Sequence, residues 1–457
     1  MNNDKSLLER LQNYSRSGHV PMHMPGHKRN TEKFPWLSAL GGELDLTEIS
    51  GFDDLNRPES FYREMNARWA RLRRAAGSVC LVGGSTCGVL AAFWLTCRGK
   101  AAIIARGCHK SVYNAVEVCR ARPRYVVPEL AWGQFYAAVS PEDIEKALDM
   151  EPDAGLVCIT SPTYEGIVSD VAGIARVCRS HGVPLFVDGA HGAHLGLGGF
   201  PAGAMEQGAD LCVESLHKTL PSLTQTAALS FGPAFSQSDV QAAVSVFQSS
   251  SPSYILAASM DRCIRFLEEK PESVSAWHSL VTSERPALSR LRLLEREALD
   301  PSKYTVLTGR AGITGFELGH ILRREYSIEP ELCAPGHVVL MTGLGDSEES
   351  VGALCRALEE IDRQLPEKSP AQCEPLPPLP VKVLEPWEAA LHPAEKVLAE
   401  DAGYRLSGDY VWAYPPGAPI LVPGELISPA LAGYLKGGQN RLKCSSGSLE
   451  EGISCLK

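Results

Sequence analysis

The sequence predicts a doubly wound α/β fold with smaller units behind it, and two observations carry that reading. From about residue 77 to 232, short apolar runs alternate with longer amphipathic ones, the pattern of strands joined by crossover helices. Two of those runs end in polar residues: PLFV ends in Asp188, and ADLCVES leads into Ser215-Leu216-His217-Lys218. The carboxyl ends of strands are where open α/β sheets bind ligands.

In chain order, the N-terminus MNNDKSLLERLQNYSRS is polar and helix-like. The small-residue turn Gly83-Gly84-Ser85-Thr86-Cys87-Gly88 opens a helix over Val89–Thr96. Strands are expected over Ala101–Ala105, Arg124–Val127, Gly155–Thr160, Pro184–Val187, Asp210–Val213 and Thr226–Phe231. They are short and mostly apolar on both faces, as buried parallel strands are, and their short connections favour right-handed crossovers. A helix over Ser140–Asp149 has Ser140 as N-cap, Pro141 as its first residue and Asp143 as its third. Further on, Ser251–Leu267 and Glu272–Arg296 read as helices, with Pro286 breaking or kinking the second. Residues 301–366 mix strands and a helix. The stretch LPEKSPAQCEPLPPLP (365–380) is proline-rich and aperiodic, hence a linker. A C-terminal unit centres on Tyr414–Glu425, and the tail 436–457 is expected to be loose.

Composition narrows the class. A chain of 457 residues is too long for one ordinary core and implies two or three domains. The net charge of −10 does not suit a general nucleic-acid binder. No apolar run reaches the roughly 18 residues of a membrane span, and the N-terminus lacks a signal peptide's apolar segment. The 14 cysteines form no CxxC pair and no zinc-finger spacing, so they read as reduced thiols in a cytoplasm. His19, His23 and His27 are spaced by four, but Pro21 and Pro25 disrupt the helix that a metal reading needs. No metal is expected.

The informative stretch is Val187–Leu229. It delivers a carboxylate (Asp188) from one strand end, and a hydroxyl (Ser215) and an amine (Lys218) from another. That trio suits pyridoxal 5′-phosphate, which needs a lysine for a Schiff base and a carboxylate to keep its pyridine nitrogen protonated. The Ser85-Thr86 turn at a helix N-terminus offers an anion site for the phosphate.

With these residues in view, the chain resembles the Orn/Lys/Arg decarboxylases, pyridoxal-phosphate enzymes of the aspartate-aminotransferase-like fold (fold type I). The resemblance rests on HMPGHKRN (23–30), DLTEISGFDDL (45–55), GGSTCG (83–88), ARGCHKSVYNA (105–115), SPTYEGIVSD (161–170), VDGAHGAH (187–194), ESLHKTLPSLTQ (214–225) and YPPGAPILVPGE (414–425), in that order. It is similar to the compact bacterial members, which lack the N-terminal receiver-like domain. The resemblance implies that Lys218 carries the cofactor, Asp188 pairs with the pyridinium nitrogen, and Ser85, Thr86 and Ser215 hold the phosphate. His109 would stack on the ring, Ala190 would pack beneath it, and His191 would lie among the cofactor-binding residues. His217 would flank the site, either assisting proton transfer or only packing. His191 and His194 read as local hydrogen-bonding groups rather than metal ligands. Glu425 would meet the distal cation of a substrate. The acidic residues Asp45, Glu48, Asp53 and Asp54 read equally as a solvated surface or as an attractor for a cationic substrate. Gly189 departs from the larger, often acidic residue expected there, and the tail beyond Leu435 matches nothing in the family.

The implied organisation is an N-terminal arm and active-site mouth segment (1–60), a large cofactor-binding domain with a mostly parallel sheet (61–285), a small α/β domain (286–366), the linker (367–380) and a C-terminal domain (381–457). The implied reaction is α-decarboxylation of arginine, lysine or ornithine to agmatine, cadaverine or putrescine, by a cytoplasmic homodimer or higher homo-oligomer. Two rival readings use the same residues: an aminotransferase, aldolase or lyase on this cofactor, and a non-catalytic paralogue. The presence of both Lys218 and Asp188 argues against the paralogue.

Overall fold

Apolar runs too short for helices become the strands of one mixed sheet. The computed structural model describes residues 5–132, 135–296, 298–365, 377, 379–413, 417–439 and 441–457. Its strands β1 (Gly77–Leu81), β2 (Ala101–Ala105), β3 (Arg122–Val126), β4 (Ala154–Thr160), β5 (Leu185–Asp188), β6 (Leu211–Glu214) and β7 (Ala227–Phe231) take the order β1-β7-β6-β5-β4-β2-β3. Six lie within two residues of their expected bounds. The seventh, β1, was not anticipated. Gly77 is there for space: a Cβ at this position would meet the Phe231 ring of β7 at 2.2 Å.

Among the helices are α1 (Leu7–Ser15), α2 (Phe61–Leu72), α3 (Gly84–Thr96), α4 (Lys110–Cys119), α5 (Pro141–Met150), α6 (Leu216–Thr219), α7 (Tyr254–Glu269) and α8 (Pro271–Ser283). The cap signals act as expected at α5, where Ser140 Oγ accepts the Asp143 N–H at 3.1 Å. At α1, Ser6 and Glu9 form a reciprocal capping box. The long helix expected over Glu272–Arg296 instead ends at Ser283, three residues short of Pro286, whose ring bars a helical approach.

Two compact units emerge, neither continuous in sequence. The first holds the residues up to Leu95, Phe186–Ser283 and Thr342–Ser347. An apolar cluster in it includes Leu7 and Leu11 of α1, Tyr62 and Trp69 of α2, Tyr254 and Met260 of α7 and Trp277 of α8. The second holds Thr96–Leu185, Glu284–Met341 and Glu348–Lys457. It includes an antiparallel sheet whose strand Lys303–Leu307 pairs with His337–Met341.

The C-terminal tail corrects an expectation. It is packed, not loose: Ile453–Leu456 pairs antiparallel with Ala394–Val397, and Ile453 and Cys455 are fully buried. The Asp409 carboxylate ties the tail down, accepting from the hydroxyls of Ser445 and Ser446 and from the Ser454 N–H. Most of the expected linker (366–376 and 378) and Tyr414–Pro416 of the YPPG motif lie outside the described residues. Among the described residues no helix is long and apolar enough to cross a membrane.

Candidate functional site

Strand β7 is antiparallel to both β1 and β6, and β6 is parallel to β5. The carboxyl ends of β1, β5 and β6 therefore share one sheet edge. Three polar segments leave from it: Gly83–Thr86, Asp188–His191 and Ser215–Lys218, all in the first unit.

Helix α3 starts at Gly84, five residues earlier than expected, so Ser85 and Thr86 occupy its first turn, where backbone N–H groups lack helical partners. Gly84 takes a positive φ of 71° and donates its N–H to the Gln225 carbonyl at 2.9 Å. The next carbonyl, Thr226, accepts from the Leu216 N–H at 3.2 Å and from His217 Nδ1 at 2.8 Å. One short segment thus links the start of α3 to the turn that carries Lys218.

Asp188 is the last residue of β5 and is only 3% exposed. Burial raises its pKa, and the Lys218 charge and the Ala190 N–H on Oδ1 oppose that rise. The Ala190 carbonyl accepts the Ser215 N–H at 3.3 Å, so the two loops are joined through backbone. Lys218, on the single turn of α6, places Nζ 3.0 Å from His191 Nε2. Since the Thr226 carbonyl can only accept, His217 Nδ1 carries the proton and Nε2 is bare. Burial lowers the pKa of His217, which favours this neutral form.

Ser215 supplies the test for a bound group. It is fully buried, yet its Oγ has no hydrogen-bond partner among the described residues. Such a hydroxyl is costly unless something else occupies it. An amine, a buried carboxylate, an orphan hydroxyl and a helix N-terminus with two hydroxyls on one edge fit pyridoxal phosphate in every part.

The other expected site residues make contacts of their own. In the second unit, His109 caps α4, its Nδ1 accepting the Ser111 N–H at 3.2 Å. Glu425, expected to meet a substrate cation, is fully buried, with Oε1 and Oε2 at 2.9 and 3.0 Å from the Arg106 guanidinium. The Val422 N–H adds a third contact at 2.8 Å. Both oxygens thus serve an internal cation. Asp53, from the acidic patch, accepts the N–H groups of Glu59, Ser60 and Tyr62 and so closes the start of α2. Asp45 meets His27 at 3.1 Å, which brings the HMPGHK and DLTEIS motifs together. His194 packs edge-on to Phe200.

Sequence reasoning missed Arg73 and Glu214. Arg73 donates through Nη2 and Nε to the two Glu214 oxygens at 2.5 and 3.0 Å, and both side chains are 2% exposed. In RLRR the residue reads as one of several solvated cations, and nothing local marks it as buried.

A family model described as Orn/Lys/Arg decarboxylase, major domain, matches residues 5–310. The chain belongs to the Orn/Lys/Arg decarboxylase family. It is accordingly an enzyme of the decarboxylase class, in a family that depends on pyridoxal phosphate. An arginine decarboxylase of Halalkalibacterium halodurans is 30% identical over 442 residues, covering 91% of this chain and 90% of that protein. An arginine decarboxylase of Bacillus subtilis is 29% identical over 440 residues, covering 91% and 90%. The fold matches the Francisella novicida lysine decarboxylase LdcF with a TM-score of 0.82 at 17% identity, over 100% of this chain and 82% of that one. It also matches a pyridoxamine-pyruvate aminotransferase of Mesorhizobium loti with a TM-score of 0.53 at 16% identity, over 69% and 94%. The family therefore spans the sheet whose edge carries Asp188, Ser215 and Lys218, and fold type I is the architecture.

Proposed function

We propose that this protein removes the α-carboxylate of a basic amino acid, with arginine the foremost substrate, releasing carbon dioxide and agmatine. The observation that carries the reading is the convergence on one sheet edge of the Lys218 amine, the buried Asp188 carboxylate and the orphan Ser215 hydroxyl. Full-length similarity to arginine decarboxylases supports the choice of substrate.

Lys218, Asp188, Ser215, Ser85 and Thr86 would hold pyridoxal phosphate, with Ala190 and His191 beside it. When bound, that cofactor supplies a conjugated cationic ring that draws electrons from a bond broken at the substrate's α-carbon. Asp188 contributes a fixed negative charge in water-poor surroundings, where charge stabilisation is strongest. His191 Nε2 accepts from the Lys218 ammonium and so orients it. Lys218 Nζ is then the proton carrier for the α-carbon, and bare His217 Nε2 is a second acceptor on the same turn. In this reading the enzyme works as at least a homodimer in the cytoplasm, on a small-molecule substrate, with no nucleic-acid or membrane partner.

The test is product analysis. Purified protein with added pyridoxal phosphate is given arginine, lysine, ornithine and neutral amino acids, and amine and carbon dioxide are quantified. Agmatine and carbon dioxide in equal amounts are expected from arginine; a keto acid product would overturn the reading.

A further inference from the structure

The two cofactor-side loops, 189–195 and 214–218, are bridged by one guanidinium. Arg73 leaves the C-terminal end of α2 and reaches Glu214, the residue just before Ser215. Its third nitrogen, Nη1, lies 3.5 Å from the Ala193 carbonyl, in the loop that follows Asp188. Backbone hydrogen bonds already tie the first loop to β6 and to the second loop: Gly189 N–H donates to the Val213 carbonyl of β6 at 2.9 Å, and Ser215 N–H to the Ala190 carbonyl. Arg73 adds a side-chain clamp beyond them. The slot it occupies has no spare room: a Cβ on Gly203 would meet Nη2 at 2.8 Å. The fork geometry matters as much as the charge. Only a planar guanidinium can span both carboxylate oxygens while a third nitrogen faces a carbonyl; an ammonium cannot.

We infer that Arg73 is a positioning residue, which holds the Asp188 loop and the Lys218 turn in register through Glu214 and the Ala193 carbonyl and so fixes the approach of His191 to Lys218. The inference rests on the proposed function for its catalytic meaning but not for its structural content. Misplacing catalytic groups by about 1 Å costs on the order of 100-fold in rate, so the clamp acts on turnover rather than on substrate affinity.

The experiment compares wild type, Arg73→Lys and the charge-free pair Arg73→Met/Glu214→Met. In cofactor-loaded protein, the pH titration of the visible band of lysine-bound cofactor is followed together with kcat and KM. In cofactor-free protein, hydrogen exchange is mapped by peptide. For Arg73→Lys we expect a fall in kcat of about tenfold or more with KM within about twofold. A displaced band titration should accompany it, with faster exchange confined to 189–195 and 214–218. The double variant, which buries no unpaired charge, should fold and show the same spectral and kinetic shifts. Wild-type band titration, kcat and exchange in either folded variant would overturn the inference. If wild type takes up no cofactor on Lys218, the proposed function fails, and the exchange maps still decide the clamp.

Discussion

His191 Nε2 lies 3.0 Å from Lys218 Nζ, so the amine at the centre of the site is met by a ring nitrogen from the neighbouring loop. Lys218→Ala should abolish turnover and the hydride-trapped cofactor adduct, and peptide mapping of wild type should find that adduct at Lys218 alone. His191→Phe keeps the ring but removes the acceptor. It should retain the adduct while kcat falls roughly 10- to 100-fold, as expected for a misaligned catalytic group. An adduct mapped to another lysine would remove the basis of the mechanism.

Asp188 ends β5 with one backbone N–H on its carboxylate and little exposure. Asp188→Ala should bind cofactor more weakly and lose about 100- to 1,000-fold in kcat, the scale of deleting one preorganised electrostatic group. Steady-state rates at saturating pyridoxal phosphate measure this. An unchanged rate would take the role from Asp188.

Much of the sheet was legible because buried parallel strands are mostly apolar on both faces, a signal present within four to seven residues. Asp188, Ser215, His217 and Lys218 were legible for a related reason, being polar residues placed where such runs stop. Interactions between distant segments were not legible. Arg73 and Glu214 are 141 residues apart, and each looks ordinary in its own surroundings. The pairing of Ile453–Leu456 with Ala394–Val397 likewise depends on two short strands that meet only in the fold. Gly189, odd by resemblance, has a local reason: a Cβ there would press on Cys212 Sγ at 3.1 Å and on the Val213 carbonyl at 3.3 Å.

Glu425 separates two roles by experiment. Its two oxygens face Arg106, and both side chains are buried within the second unit. Glu425→Ala should therefore strand a buried guanidinium and cost about 3–5 kcal/mol of stability, read by denaturant unfolding. A variant of normal stability with a raised KM for arginine would instead return Glu425 to the substrate.

The Glu165–His337 contact in the second unit predicts a pH dependence of stability with a definite sign. The side chains approach to 3.8 Å, but burial works against charge on both. Glu165 is pushed up to about 7, mainly by desolvation and against the pull of nearby Lys303, while desolvation lowers His337 to about 4. For Glu165 the folded protein holds its proton more tightly than the unfolded chain does. Its contribution is therefore complete below the ordinary value of 4.5 and is lost as pH rises through about 7. The rise from 4.5 to about 7 corresponds to roughly 3 kcal/mol, at about 1.4 kcal/mol per pH unit. His337 acts in the opposite direction: its contribution is complete above 6.5 and is lost as pH falls toward 4. Glu165→Gln mimics the protonated acid. It should raise stability by about 1 kcal/mol at pH 5 and by up to about 3 kcal/mol at pH 8. Thermal or urea unfolding across pH 5–9 measures the difference. A variant that tracks wild type at pH 8 would mean that the Glu165 charge is compensated where it sits, and the predicted alkaline weakness would not exist.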